Sequence, residues 1–143
     1  MSNPMTSCLY QAATLVFDQL AFLLPDSDEG MEPSADPVAV MVSFEGPKTG
    51  KLVISTCRSL LPILAANILG DELQPTELQQ MDALGEVANI VCGNVLPAVF
   101  GPKDPFLLGP PRAIDPAAIP ADPAAEVRLV LEERPVELRL FVN

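Results

Sequence analysis

The stretch MDALGEVANIVCGN (residues 81–94) carries Asp82, Glu86 and Asn89 inside a run that is otherwise mostly apolar. At about 100° per residue on a helix, Asp82, Glu86, Asn89 and Gly93 fall within an arc of roughly 60°. Ala83, Leu84, Val87, Ala88, Ile90, Val91, Cys92, Val95 and Leu96 fill most of the remaining circumference. A surface helix shows the reverse, a narrow apolar stripe and a broad polar face. The stretch therefore predicts a helix that is largely buried and has one thin polar window.

The segments on either side predict how such a helix is covered. Upstream, QPTELQQ opens the same helix, with Thr76 as its cap and Glu77 in its first turn. Pro97 falls near its end, about Phe100, and Gly101-Pro102 stops it. CRSLLPILAANILG reads as a preceding helix, capped by Thr56 and closed by Gly70. Before it, VAVMVSFE and GKLVIST flank the turn residues GPKT, the pattern of a β-hairpin. A first helix starts at Pro4, capped by Ser2 or Asn3, and carries Leu9, Ala12, Ala13, Val16, Phe17, Leu20 and Leu24 at helical spacing as far as Pro25. DSDEGMEPSADP is expected to be a solvated acidic connection.

Downstream, GPKDPFLLGPPRAIDPAAIPADPAA is rich in proline. Such a segment suits a PxxP-type ligand or an extended connection, and PFLLG or PRAI could form an edge strand. In EVRLVLEE and VELRLFV, apolar and charged residues alternate with period two, separated by RP. That alternation argues for antiparallel strands with one buried face. The predicted fold is α+β, an antiparallel sheet with helices packed on one side, as a single domain over residues 1–143.

Composition narrows the function. The net charge of -11 disfavours nucleic acid, which needs clustered cations, and anionic membrane surfaces. The absence of histidine removes Ser-His-Asp and Cys-His catalysis and any His-containing metal site within one chain. Cys8, Cys57 and Cys92 form no C-x-x-C pair and are expected to be small buried hydrophobes in a reducing cytoplasm. LAFLLP is too short to span a membrane and the N-terminus lacks a basic region, so a cytoplasmic location is expected.

The polar window itself admits two readings. Asp82 and Glu86 are a like-charge i,i+4 pair, which costs a helix ~0.2–0.5 kcal/mol, so helix stability does not explain them. One reading is a solvent-facing stripe. The other is functional: a carboxylate can pair with a partner's ammonium group, and a carboxamide can both donate and accept, fixing a water molecule. That combination suits phosphoryl hydrolysis, where catalysis is mainly positioning. With no nucleophile, metal cage or glycine-rich phosphate loop of its own, the chain would need a substrate that brings its own metal and reactive group.

DALGEVANIVCGN resembles the helix of the CheC/CheX chemotaxis phosphatases, whose pattern is D/S-x-x-x-E-x-x-N with a proline about two dozen positions later. Asp82, Glu86 and Asn89 match, as does the trailing Gly93-Asn94. Pro110 and Pro111 lie near the expected proline but out of register, and are not counted as site residues. The first helix and the hairpin before LLPILAANILG also resemble CheX-type modules. The resemblance implies action on the aspartyl phosphate of a CheY-like response regulator. Glu86 would dock on a lysine of the regulator, and Asn89 would orient the attacking water. Asp82 would sit at the rim of the contact and Gly93 beside it. The regulator would supply Mg²⁺, and no cofactor of the chain's own is implied. A second copy of the motif fails in the first helix, where the corresponding positions are Thr14, Asp18 and Ala21. The single site is similar to the CheX arrangement, whose members are often homodimers through sheet edges; an exposed C-terminal strand would serve. The alternative is a non-catalytic regulator-binding or adaptor module of the same fold.

Overall fold

A computed structural model describes residues 3–26, 35–70 and 74–143. Helix α1 (Pro4–Ala21) leads into strands β1 (Pro37–Glu45) and β2 (Gly50–Cys57), then α2 (Leu61–Leu69) and the long α3 (Glu77–Phe100). Short strands β3 (Leu107–Leu108) and β4 (Arg112–Ile114) follow, and β5 (Ala125–Leu131) and β6 (Arg134–Val142) end the chain. Together the strands form one antiparallel sheet in the order β3-β1-β2-β6-β5, with β4 also on β1. The three helices cover one face of it.

Alternation within the strands creates that face. Val38, Val40, Val42 and Phe44 of β1, Leu52 and Ile54 of β2, and Val136, Leu138 and Leu140 of β6 pack in one core cluster with Leu9, Phe17, Leu64 and Leu84 of the helices. The opposite face holds a smaller apolar group, Ala39, Val53 and Phe141, against Met41, Ile114 and Ile119. Beyond it the outer face turns ionic. Arg139 pairs with Glu126 at 2.7 Å and with Glu137, and Arg128 Nε lies 3.6 Å from Glu137. The sheet is therefore apolar towards the helices and partly solvated behind, as its alternation requires.

Local signals explain the element ends. The Asn3 side chain accepts from Met5 N–H at 2.9 Å, capping α1; Ser2 lies outside the described residues. Thr76 and Gln79 form a reciprocal capping box at the start of α3. Gly101 closes α3 at φ 92°, and its N–H donates to Pro97. Most of the expected acidic connection, residues 27–34, also lies outside the described residues.

Four expectations need correction. First, α1 ends at Ala21, before Pro25, because Phe22 takes a left-handed φ of 58° and its N–H caps the helix on Asp18. Second, Thr56 does not cap α2. It belongs to β2, and its hydroxyl donates to the Pro135 carbonyl at 2.8 Å across the sheet. Third, Arg134 and Pro135 are not the turn between the last two strands. The turn falls on Glu132 and Glu133, at φ 50° and 64°, and Pro135 sits near the start of β6, where a missing N–H is tolerated. Fourth, the C-terminal strand is not exposed. It lies between β2 and β5, and β5 forms that edge.

Both PFLLG and PRAI contribute to the other edge. Leu108 pairs with Phe44 and Arg112 with Met41, so β3 and β4 run antiparallel along β1 as one strand interrupted at residues 109–111. Gly109 N–H still reaches Ser43 at 2.8 Å, but Pro110 and Pro111 have no N–H to offer. The break pushes Pro111 against α3. A Cβ on Gly85 would lie 3.0 Å from Pro111 Cβ, so this helix position admits little beyond hydrogen. Gly85→Leu is expected to force the edge strand away from α3 and lower stability by about 1–3 kcal/mol, read from the urea midpoint.

Cys92 lies on the buried side of α3, and burial pushes its thiol from 9.0 up to about 12. The folded chain then holds a proton that the unfolded chain loses above pH 9, so this thiol's contribution falls as pH rises from about 9 to 12. The slope is about 1.4 kcal/mol per pH unit, and denaturation of Cys92→Ala over the same range should lack it.

Candidate functional site

The exposed arc of α3 lies in a trough. Helix α1 forms one wall, where Leu15 and Gln19 meet Ile90 and Asn94 across a groove of about 250 Å³. The broken edge strand forms the other, with Pro111 against Gly85 and Leu108 beside Gly93. Along the trough, Asp82, Glu86 and Gly93 are exposed and Asn89 is half-buried. Ala83, Leu84, Val87, Ala88, Val91, Cys92, Val95 and Leu96 are buried, and Ile90 is half-buried at the groove. The expected site residues thus share one accessible face.

Two further clefts open from that face. Asp82 and Glu86 border one of about 370 Å³, walled by Leu78, Met81, Gly85 and Pro111. Gly93 borders one of about 180 Å³, walled by Leu96, Pro97, Phe106 and Leu108. Phe106 is held there by edge-on contact with Phe44, at 5.7 Å between ring centres. A cleft of similar size, about 380 Å³, lies far from the window between α1 and β5. Its carboxylate, Glu126, is already held by Arg139. The window differs in that respect: among the described residues, none forms a hydrogen bond or ion pair with the side chains of Asp82, Glu86 or Asn89.

That freedom decides what the face can do. An exposed carboxylate and a half-buried amide with no internal partner are available to an incoming surface. They stand one turn apart on a helix whose other sides are packed, so their backbone is fixed before contact. Among the described residues no three His, Cys, Asp or Glu side chains gather into a metal-binding group. Any catalysis here would be positioning and electrostatics, with the metal supplied from outside.

Sequence reasoning did not count Pro111, yet it walls the same cleft as Glu86. The available signal was Gly85. A glycine inside a helix costs about 1 kcal/mol relative to alanine, so it often marks a close approach by another segment.

Comparison with curated protein sequences gave no match. Solved structures gave many. A chemotaxis protein CheX of Desulfovibrio desulfuricans superposes with a TM-score of 0.76 at 18% identity, covering 97% of this chain and 99% of that one. The structure of a CheX–CheY–BeF3–Mg complex from Borrelia burgdorferi matches at 0.74 and 18%, covering 96% of each chain. The chemotaxis protein CheX of Vibrio vulnificus matches at 0.76 and 14%, covering 99% and 97%. At such identities these likenesses establish the fold. The sequence model of the chemotaxis phosphatase CheX matches residues 38–132. That span runs from the β1–β2 hairpin through α3 and the broken edge strand to β5, and so contains the polar window and the edge-strand wall of the trough, but not the α1 wall. The chain belongs to the chemotaxis phosphatase CheX family.

Proposed function

We propose that the chain accelerates hydrolysis of the aspartyl phosphate of a CheY-like response regulator. The observation that carries this reading is the pair Glu86 and Asn89, side by side on an open helix face with no partner among the described residues. Family membership supports the reaction class. The Borrelia burgdorferi complex, which joins a CheX to CheY with BeF3 and Mg, supports the partner class and a metal that is not the chain's own.

In this reading Glu86 docks on a regulator lysine. Asn89 enters the regulator's pocket and uses its amide to orient water toward the phosphorus, while Mg²⁺ on the regulator offsets charge on the phosphoryl oxygens. The half-burial of Asn89 suits this task, since a packed base restricts its rotamers and lowers the entropy cost of positioning. Asp82 contributes to docking at one end of the window. Gly93 keeps the other end flat: it is exposed, and a methyl group in its place would meet only Leu108, at 3.8 Å. If copies pair through sheet edges, the strand beyond β6 that offers such an edge is β5.

The test is decay of a phosphorylated CheY-like regulator with and without the protein. Wild type is expected to accelerate decay with turnover. Asn89→Ala should lower kcat by about 100-fold or more with binding retained, since it removes one positioned group. Glu86→Lys should weaken binding. Equal acceleration by wild type and Asn89→Ala would sink the assignment of Asn89; stable binding without faster decay would favour an adaptor.

A further inference from the structure

The end of the window nearest the start of α3 has a feature that Glu86 and Asn89 leave unused. Asp82 stands at the rim of the 370 Å³ cleft, whose walls include Leu78, Met81 and Pro111. Leu78 lies one turn before Asp82 and is 73% exposed, a large apolar side chain left in water. An apolar wall with a carboxylate at its rim complements a lysine or arginine. The aliphatic stem of such a side chain lies along the wall and its cation meets the carboxylate.

Within the described residues no cation fills that role. Arg58 lies 3.4 Å from Asp36, Arg139 is held by Glu126, and Arg128 by Glu137. Arg134 donates to Ser59 Oγ at 2.9 Å, and Lys51 sits over the Phe141 ring at 5.7 Å. Arg112 borders the cleft, but its register partner is Met41, which packs on the outer face of the sheet, and it forms no ion pair with Asp82 or Glu86. The acidic rim is thus left for a cation from outside.

We propose that this cleft is a second docking subsite. It takes a lysine or arginine from the rim of the regulator's phosphorylation pocket, Asp82 holding the cation and Leu78, Met81 and Pro111 the stem. The proposal rests on a response regulator being the partner, and it separates the task of Asp82 from that of Glu86. It also makes the cleft a selector. A regulator with a basic residue at the matching position is held, and one with an acidic residue is repelled by Asp82 and Glu86 together.

Steady-state dephosphorylation of a CheY-like regulator, kept phosphorylated by a small-molecule phosphodonor, gives KM and kcat separately. Asp82→Lys should raise KM about tenfold and change kcat by less than about twofold. Leu78→Ser should also raise KM, through the apolar wall and not through charge. Each exposed lysine and arginine around the regulator's pocket is then changed to glutamate and paired with Asp82→Lys. One such pair should restore most of the lost KM. An unchanged KM for Asp82→Lys, or the failure of every pair to restore it, overturns the subsite while leaving the phosphatase assignment intact. If wild type does not accelerate decay, that assignment fails by itself, and fluorescence titration with the same regulator decides the subsite. Weaker binding by Asp82→Lys than by wild type supports it; equal binding, or none by either protein, overturns it.

Discussion

The structure depends on the burial of α3. Most of the helix circumference is apolar and must be removed from water, each buried leucine or valine contributing about 1.5–3 kcal/mol by transfer. The sheet, α1 and α2 supply the cover, with Leu84, Val91 and Leu96 fully buried beneath them. One arc has to remain open, because it carries side chains that cannot be buried unpaired without a large penalty. Core and site therefore have a common cause: the residues that hold α3 in place are the ones that leave Asp82, Glu86 and Asn89 outside. Length and composition alone would let α3 cross a membrane, yet nine of its residues are buried within this domain.

The second constraint comes from the broken edge strand. β1 needs a partner on its outer side, and the segment after α3 supplies one in two pieces. A regular strand there would stay in the plane of the sheet. Two consecutive prolines remove two donors, the hydrogen bonding to β1 fails at residues 110–111, and the chain packs onto α3 at Gly85. The defect in hydrogen bonding is what forms the second wall of the trough. Without it, the window would be a ridge with α1 on one side only and no cleft beside Asp82.

Much of this was legible in the sequence where one residue type has one local use. Thr76 with Glu77 announces the start of α3, Gly101 its end, and the alternation in β5 and β6 announces a one-sided sheet. The open polar face of α3 was legible because charge at i,i+4 inside an apolar run has no local justification. What escaped depends on contacts distant in sequence or on backbone states that composition does not betray. Glu132 and Glu133 adopt left-handed φ, a state glutamate does not favour, so the turn reads two residues late. Thr56 reads as a cap, but β2 continues through it because Pro135 offers a carbonyl across the sheet. Pro111 and Gly85 are separated by a whole helix end and a loop, and only the register of β4 on β1 brings them together.

Charge sets the direction of approach. With a net charge of -11, diffuse repulsion would meet any acidic partner, and long-range steering would favour a basic one. Of the arginines, Arg128 and Arg139 are engaged on the outer face of the sheet, Arg58 and Arg134 near the ends of β2 and β5, and Arg112 borders the cleft beside Asp82 and Glu86 without an ion pair to either. The face that holds the amide carries Asp82 and Glu86 at one end and, at the other, mostly apolar walls around Gly93 and Phe106 with Asp104 beside them. Such a polarity gives a visitor one preferred orientation. For an amide that acts by holding a water molecule in line with a phosphorus atom, orientation is the catalytic contribution, since a misplacement of about 1 Å can cost about 100-fold in rate. A rigid helix, the carboxylates of Asp82 and Glu86 and the amide of Asn89 are the parts that the proposed reaction would use.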